Sequence, residues 1–265
     1  SFATNAQGTG YGAETSFTTQ TTPTVSVTAT PYSLTTTSAV GGGTIGSTGG
    51  ATITTSGLVW DASINPTIAL ATKTTDGATS GTFTSSITGL TQGTTYHVRA
   101  YATNYLGTTY GPDITFTTLT LPTVSATATI SAITGTTATG GGTITSDGGA
   151  TVTTRGVVWG TTTGSSTFSA TSGTGTGSYL SNLSGLTPAT IYYVRAFATN
   201  SVGTVYGPET SFTSTATAPI LSTIAASNIT QNTASSGGTI TSNGGSDITS
   251  SGICWSTSAT PTIAN

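Results

Sequence analysis

Side chains alternate between two faces along much of the chain, which is the pattern of β-strands with one buried face. In the clearest example one face carries Tyr192, Val194, Ala196 and Ala198, and the other carries Tyr193, Arg195, Phe197 and Thr199. Turn-forming residues follow at 200–203, and residues 204–213 are predicted to return as a partner strand. The pattern therefore predicts an antiparallel sheet.

These strands belong to an internal repeat. An aromatic-Ala-Thr-Asn tetrapeptide occurs at 2–5, 101–104 and 197–200, and each copy of the repeat also carries one tryptophan, at Trp60, Trp159 and Trp255. The spacing of about a hundred residues is the size of one β-sandwich domain. The sequence therefore predicts several sandwiches in tandem.

The repeat also sets the domain boundaries. Two copies are complete, at residues 23–118 and 122–214, whereas residues 1–19 match the last part of a copy and residues 219–265 match the first part. We expect the partial copies either to be pieces of a longer array or to be completed by strand addition from neighbouring chains. The joints are short and end in proline, which predicts an elongated rod with limited bending.

One turn recurs in every copy with a pair of glycines. It lies at residues 47–50, 146–149 and 242–245, and the residue before the glycines is Thr, Asp or Asn. Because the glycines stay while their neighbour changes, we expect a turn that needs positive φ. A ligand role for Asp147 is not expected.

Composition agrees with an all-β protein. Threonine, which is β-branched and favours extended backbone, is the commonest residue, and 36 glycines and 9 prolines supply turns. Only 4% of residues are charged, against roughly 25% in an average soluble domain. With four basic residues and a net charge of −3, the chain is not expected to bind nucleic acid. No apolar run approaches the ~20 residues of a membrane-spanning helix, so no membrane insertion is expected in this segment.

The spacing Leu186-x-Pro188-x-x-x-Tyr192-x-Val194-x-Ala196 resembles the fibronectin type III family. In that family such a tyrosine forms the tyrosine corner before strand F, and its hydroxyl bonds to backbone a few residues upstream. The resemblance therefore implies a structural role for Tyr192 and for its counterpart Tyr96, and a fibronectin-III-like or immunoglobulin-like fold.

The chain departs from that family at strand B, where the triplet Gly140-Gly141-Gly142 takes the place of the usual tryptophan. A tryptophan comes later in each copy, on the predicted strand C, and we assign a structural role to Trp60, Trp159 and Trp255. The neighbouring Cys254, which replaces a valine of the other copies, is expected to be a small buried residue. Threonine-rich repeats with Tyr-Val-Arg-Ala-x-Ala-Thr-Asn look like large cell-surface adhesins or filament proteins of Bacteroidota.

Catalytic chemistry is not expected. The single histidine, His97, is replaced by Tyr193 in the next copy, and an essential base would not be exchanged for a phenol. No zinc-type or calcium-type ligand set is visible, so no metal or cofactor is expected. One charge relation repeats, and it predicts cross-strand ion pairs between Arg99 and Asp113 and between Arg195 and Glu209.

These patterns favour an extracellular, non-catalytic stalk or filament that contacts like repeats, polysaccharide or other surfaces weakly at many places. Its expected contact residues are the outward aromatics Tyr101, Tyr105, Tyr193, Phe197 and Tyr206. Cross-strand pairing within one domain explains the same aromatics. The alternative function is an accessory spacer or carbohydrate-binding module of a secreted polysaccharide-degrading enzyme. A specific receptor and an ice-binding surface built on threonine rows such as Thr28 and Thr30 are further alternatives.

Overall fold

The computed structural model describes residues 1–77 and 80–263, and every regular element in them is a β-strand. The prediction of an all-β protein is confirmed. The strands fall into unit 1, Ser1–Thr120, and unit 2, Leu121–Asn265. The last two residues of the predicted segment 219–265 lie outside the described residues.

Unit 1 contains a hairpin and seven further strands. The hairpin consists of β1 (Phe2–Asn5) and β2 (Gly8–Tyr11), and the others are β3 (Thr24–Tyr32), β4 (Ala39–Ser47), β5 (Thr55–Asp61), β6 (Gly81–Ile87), β7 (Thr95–Asn104), β8 (Gly107–Tyr110) and β9 (Ile114–Thr117). One sheet has the order β3-β4-β6, and the other has the order β5-β7-β8 with β9 also paired to β7. All of these pairings are antiparallel.

The two larger sheets of unit 1 bury a shared core. It is formed by alternate residues of both sheets, including Ala39 and Ile87 from one and Leu58, Trp60 and Val98 from the other. Burying a side chain of this size contributes about 1.5–3 kcal/mol. This packing of one sheet on another is of the β-sandwich type.

Unit 2 repeats this arrangement. Its strands are β10 (Thr123–Thr127), β11 (Thr137–Ser146), β12 (Thr154–Gly160), β13 (Phe168–Thr171), β14 (Gly177–Ser184), β15 (Ile191–Thr199), β16 (Thr204–Tyr206), β17 (Thr210–Thr213), β18 (Ile220–Ser227) and β19 (Ser235–Ser242). One sheet is β10-β11-β14, the other is β13-β12-β15-β16 with β17 also on β15, and β18 pairs with β19. In unit 1 the edge place of β13 is taken by residues 72–76, which bond to β5.

The glycine triplet lets the two sheets approach each other. A Cβ on Gly142 would lie 2.4 Å from the Cβ of Ala196 on the facing sheet, and one on Gly141 would lie 2.1 Å from the carbonyl oxygen of Tyr179 on the neighbouring strand of the same sheet. Gly43 stands in the same relation to Ala100 in unit 1, also at 2.4 Å. A tryptophan therefore has no room on this strand, and the aromatic core residue comes from β5 or β12 instead.

The predicted return strand after the tetrapeptide is interrupted. In unit 1 it breaks between β8 and β9 at Gly111-Pro112, where proline has no N–H to donate. The N–H of Ala100, left without a strand partner, donates to the Thr28 hydroxyl at 3.1 Å. The Ala196 N–H donates to Thr127 in the same way at 2.9 Å. Thr28 is buried for this reason, which rules it out of an exposed ice-binding row.

The predicted glycine-pair turns are confirmed. In all three copies both glycines have φ between 67° and 82°, as at Gly148 and Gly149. The side chain of Asp147 stays local, since its Oδ1 accepts the N–H of Gly149 at 2.9 Å.

The tryptophans differ between copies. Trp60 and Trp159 lie in the two cores, but Trp255 is 77% exposed and Cys254 is only half-buried. The expectation that Cys254 is buried is wrong, and the structural role of Trp255 stays a prediction. In the described part of residues 219–263 the only sheet is β18-β19, so no second sheet covers them.

Candidate interaction surface

The predicted aromatic residues of unit 2 lie on the outer face of its larger sheet. Tyr193, Arg195 and Phe197 alternate with core residues along β15, and each is half-buried. Phe197 pairs across the sheet with Tyr206, with ring centroids 6.3 Å apart and tilted by 48°. The Arg195 guanidinium lies over the Tyr206 ring, 4.6 Å from its centroid. The rings therefore pack within one domain, and Tyr206 keeps 42% of its surface exposed.

Tyr101, the counterpart of Phe197, is not a surface residue. It is 2% exposed, and its hydroxyl donates to the carbonyl oxygen of Thr74 at 2.7 Å. The ring crosses β5 at Gly57, its cross-strand partner, which has no side chain to block it. The interpretation of Tyr101 as an exposed contact residue is wrong, because the edge segment 72–76 covers it.

Tyr105 is the most exposed of the predicted aromatics, at 70%. It sits in the turn between β7 and β8, and its hydroxyl bonds to the side chain of Gln20. Gln20 in turn donates to the carbonyl oxygen of Gly50 at 2.9 Å. The ring therefore remains accessible while its hydroxyl is held close to the glycine-pair turn.

The predicted ion pair of Arg99 with Asp113 does not form. The bulge at Gly111 brings Asp113 beside His97 instead, with Nδ1 3.0 Å from the carboxylate, and both side chains are mostly buried. Arg99 donates from Nε to the carbonyl oxygen of Gly111 at 3.1 Å and lies over the Tyr110 ring, 4.6 Å from its centroid. The prediction is wrong because it counted an unbroken ladder through the proline.

The predicted ion pair of Arg195 with Glu209 does not form either. Arg195 and Glu209 bind the same residue, Gly164, from its two sides. Arg195 Nη2 donates to its carbonyl oxygen at 2.9 Å, and its N–H donates to Glu209 Oε2 at 2.7 Å. In unit 1 the N–H of Asn65 donates likewise to Asp113 at 2.6 Å. The repeated carboxylate thus holds the loop after the tryptophan strand.

The remaining basic residues act on backbone as well. Lys73 donates to the carbonyl oxygens of Ile68 and Leu70 at 2.6 and 3.0 Å. Arg155 binds the carbonyl oxygens of residues 172, 175 and 176. Each of the four basic side chains of the chain therefore stabilises a loop. The sequence carried one signal for the loop that these carboxylates hold. The residue bound there is Asn65 or Gly164, and asparagine and glycine both accept positive φ.

The tyrosine near the start of β7 and of β15 makes the same contacts in both units. Tyr96 and Tyr192 accept the N–H of Thr91 and Thr187 at 3.0 and 2.9 Å, which is the geometry of a tyrosine corner. Both rings also stack on a phenylalanine at 5.8 Å.

The buried asparagine that ends the tetrapeptide ties two turns together. Asn104 donates to the carbonyl oxygens of Thr21 and Thr48, at 2.8 and 3.1 Å. Asn200 donates to that of Asp147 at 2.7 Å. Each amide therefore links the β7–β8 or β15–β16 turn to the glycine-pair turn.

One side chain has a shifted acidity. Burial raises the pKa of the Tyr179 phenol, and the charge of the nearby Arg155 opposes this in part. The phenol hydroxyl donates to the carbonyl oxygens of Gly156 and Phe197, at 2.6 and 3.3 Å. The hydroxyl spans the two sheets, since Tyr179 is on β14 and its acceptors are on β15 and β12.

Residues 1–77 and 80–263 contain no group of three or more His, Cys, Asp and Glu side chains placed to hold a metal ion. Within the same ranges there is no helix long and apolar enough to cross a membrane. No protein-family model matches the chain, and no curated protein matches it. The geometry alone thus defines an all-β protein of the β-sandwich type.

Proposed function

We propose that this chain is a non-catalytic structural and adhesive region of an extracellular stalk or filament at the bacterial surface, built from fibronectin-III-like repeats in an elongated rod. The observation that carries the proposal is which contacts recur between the two complete repeats. The contacts that recur hold the fold together. The histidine, which is the residue best suited to acid–base catalysis, does not recur.

The fold-holding contacts match in both repeats. The buried asparagines Asn104 and Asn200 tie the turns, and the hydroxyls of Thr28 and Thr127 close the break in the return strand. By contrast, the His97–Asp113 pair has no counterpart, because Tyr193 replaces the histidine. A repeated catalytic role would need a repeated titratable pair.

The strand order supports the fibronectin-III-like proposal. In each repeat the first two strands and the strand before the tyrosine corner, β6 or β14, form one sheet, and the others form the second sheet. A tyrosine corner lies at the start of β7 and at the start of β15. These features belong to that family's general plan.

The aromatic face favours a stalk over a carbohydrate platform. A sugar-binding platform needs open ring faces, but Arg195 covers Tyr206, and Tyr101 is buried. Tyr105 is the aromatic of this set with a largely open ring, and single weak contacts of this kind suit adhesion by many copies.

Immunogold electron microscopy of the protein as its cells release it tests the proposal, with antibodies raised against this chain. We expect label repeated along beaded or regular fibres. Compact particles with a separate globular lobe would contradict the stalk and favour the accessory module. Binding to polysaccharide, compared between the chain and a Tyr105→Ala variant, then tests the adhesive part; equal binding by both would remove Tyr105 from it.

A further inference from the structure

The joint after residue 214 is a packed contact. The linker bonds backward through Thr215, whose N–H donates to the carbonyl oxygen of Thr134 at 3.2 Å and whose carbonyl oxygen accepts the N–H of Ala189 at 3.3 Å. It bonds forward through Thr217, whose N–H donates to the carbonyl oxygen of Gly244 at 2.8 Å. The linker thus joins the corner before β15 to the glycine-pair turn after β19.

That corner and that turn also touch directly. A Cβ on Gly245 would lie 2.5 Å from the Cβ of Ala189 and 3.1 Å from the carbonyl carbon and oxygen of Pro188. The Ala189 methyl therefore fits against a backbone surface that glycine leaves bare. Any larger residue at 245 would separate the two surfaces.

Ala189 has an unfavourable backbone for this contact. Its φ is 50°, in the left-handed region that disfavours residues with a Cβ, and the equivalent residue in unit 1 is Gly93, with φ 65°. Strain of this kind persists where the surrounding structure uses it. At Ala189 the strained backbone places the methyl group against Gly245.

We propose that the Pro188-Ala189 corner is a docking surface for the Gly244-Gly245 turn of the following repeat, and that this contact fixes the joint. The partner is a second repeat of the same kind, which brings a glycine pair at positive φ. The inference rests on geometry within unit 2 and stands apart from whether the chain belongs to a stalk.

Residual dipolar couplings of the ¹⁵N-labelled full chain test the proposal. In a fixed joint, the amides of β11, β14 and β15 and those of β18 and β19 fit one alignment tensor. Gly245→Ala introduces the 2.5 Å clash, so we expect its two segments to need separate tensors. Separate tensors in the wild-type chain would overturn the proposal.

Gly50→Ala is the matched control. Gly50 holds the same place in the turn of unit 1 with φ 78°, against 81° for Gly245, but its Cβ would meet only Gln20 Cγ, at 3.6 Å. Both variants carry the same backbone strain, and only Gly245→Ala disturbs the corner. We expect Gly50→Ala to leave the couplings of unit 2 unchanged.

Ala189→Gly separates the joint from general stability. It relieves the backbone strain, so the β15 amides should stay as protected from hydrogen exchange as in the wild type. It removes the methyl contact, so the amides of Thr215 and Thr217 should exchange about tenfold faster. Unchanged exchange at these two amides in both Ala189→Gly and Gly245→Ala would overturn the docking surface.

Discussion

Replacing Gly142 by alanine tests how closely the two sheets of unit 2 must approach. The new methyl would lie 2.4 Å from the Ala196 Cβ and 3.0 Å from both the carbonyl oxygen of Ala126 and the hydroxyl of Tyr179. Carbon atoms in contact are normally about 3.5–4.0 Å apart, so one of the two strands must move by about 1 Å or more. Both β11 and β15 are flanked by hydrogen-bonded strands on either side, which opposes that movement.

The expected loss follows from two opposing terms. Overpacking a core costs about 1–3 kcal/mol, and this clash involves a β-carbon fixed to backbone, which places it at the upper end. Alanine is better than glycine within a strand by about 0.5–1 kcal/mol. We expect Gly142→Ala to lower the free energy of unfolding of its sandwich by about 2 kcal/mol, obtained as the difference of the two terms.

Native-state hydrogen exchange measures this loss unit by unit. For amides that exchange through global opening, about 2 kcal/mol corresponds to roughly thirtyfold faster exchange at Val157 and Val194. Gly43→Ala should produce the same effect in unit 1, since Gly43 has the same 2.4 Å relation to Ala100. Gly10→Ala is the control, because a Cβ there meets nothing within 4 Å. Unchanged or slower exchange in Gly142→Ala would refute the reasoning.

Substitutions at three further positions test single contacts by urea unfolding. Glu209→Gln keeps an oxygen that can accept the Gly164 N–H, so it should cost less than Glu209→Ala, and equal losses would contradict a backbone bond. Because burial raises the pKa of Tyr179, this phenol ionises first in the unfolded chain above pH 10.0, so the stability of the wild type falls there. Tyr179→Phe should be about 1 kcal/mol less stable than the wild type at pH 7, and this difference should shrink as the pH rises. A difference that stays constant with pH would contradict the raised pKa. Tyr192→Phe leaves the Thr187 N–H without its acceptor and should cost about 1 kcal/mol; no loss would contradict the tyrosine corner.

The sequence was sufficient to predict the strands and turns because their signals are local. Alternation along 191–199 matches β15, in which every second residue is buried. The glycine pairs were predicted from their constancy between copies, and they need only the backbone of the turn itself. The all-β class followed from composition and from this alternation.

The wrong predictions for Tyr101 and for the ion pairs share a physical cause. Burial of Tyr101 depends on segment 72–76, which has no strand-like alternation and is placed by its bonds to β5. The partners of Arg99 and Asp113 depend on a bulge at Gly111 that shifts the ladder. Each is decided by how distant segments meet, and one sequence carries little signal for that.

Charge has an unusual place in this fold. Opposite charges are one kind of pair that stabilises facing positions on neighbouring strands, but here 4% of residues are charged and the basic ones bind loop carbonyl oxygens. Hydroxyl pairs stand at the facing positions instead, as in Thr44–Thr82, Thr95–Thr117, Thr103–Thr108, Thr143–Ser178 and Thr199–Thr204. Each such pair contributes about 0.2–1 kcal/mol, similar to an exposed ion pair. Since a hydroxyl pair is neither screened by salt nor titrated at ordinary pH, register in these sheets does not depend on the ionic conditions around the protein.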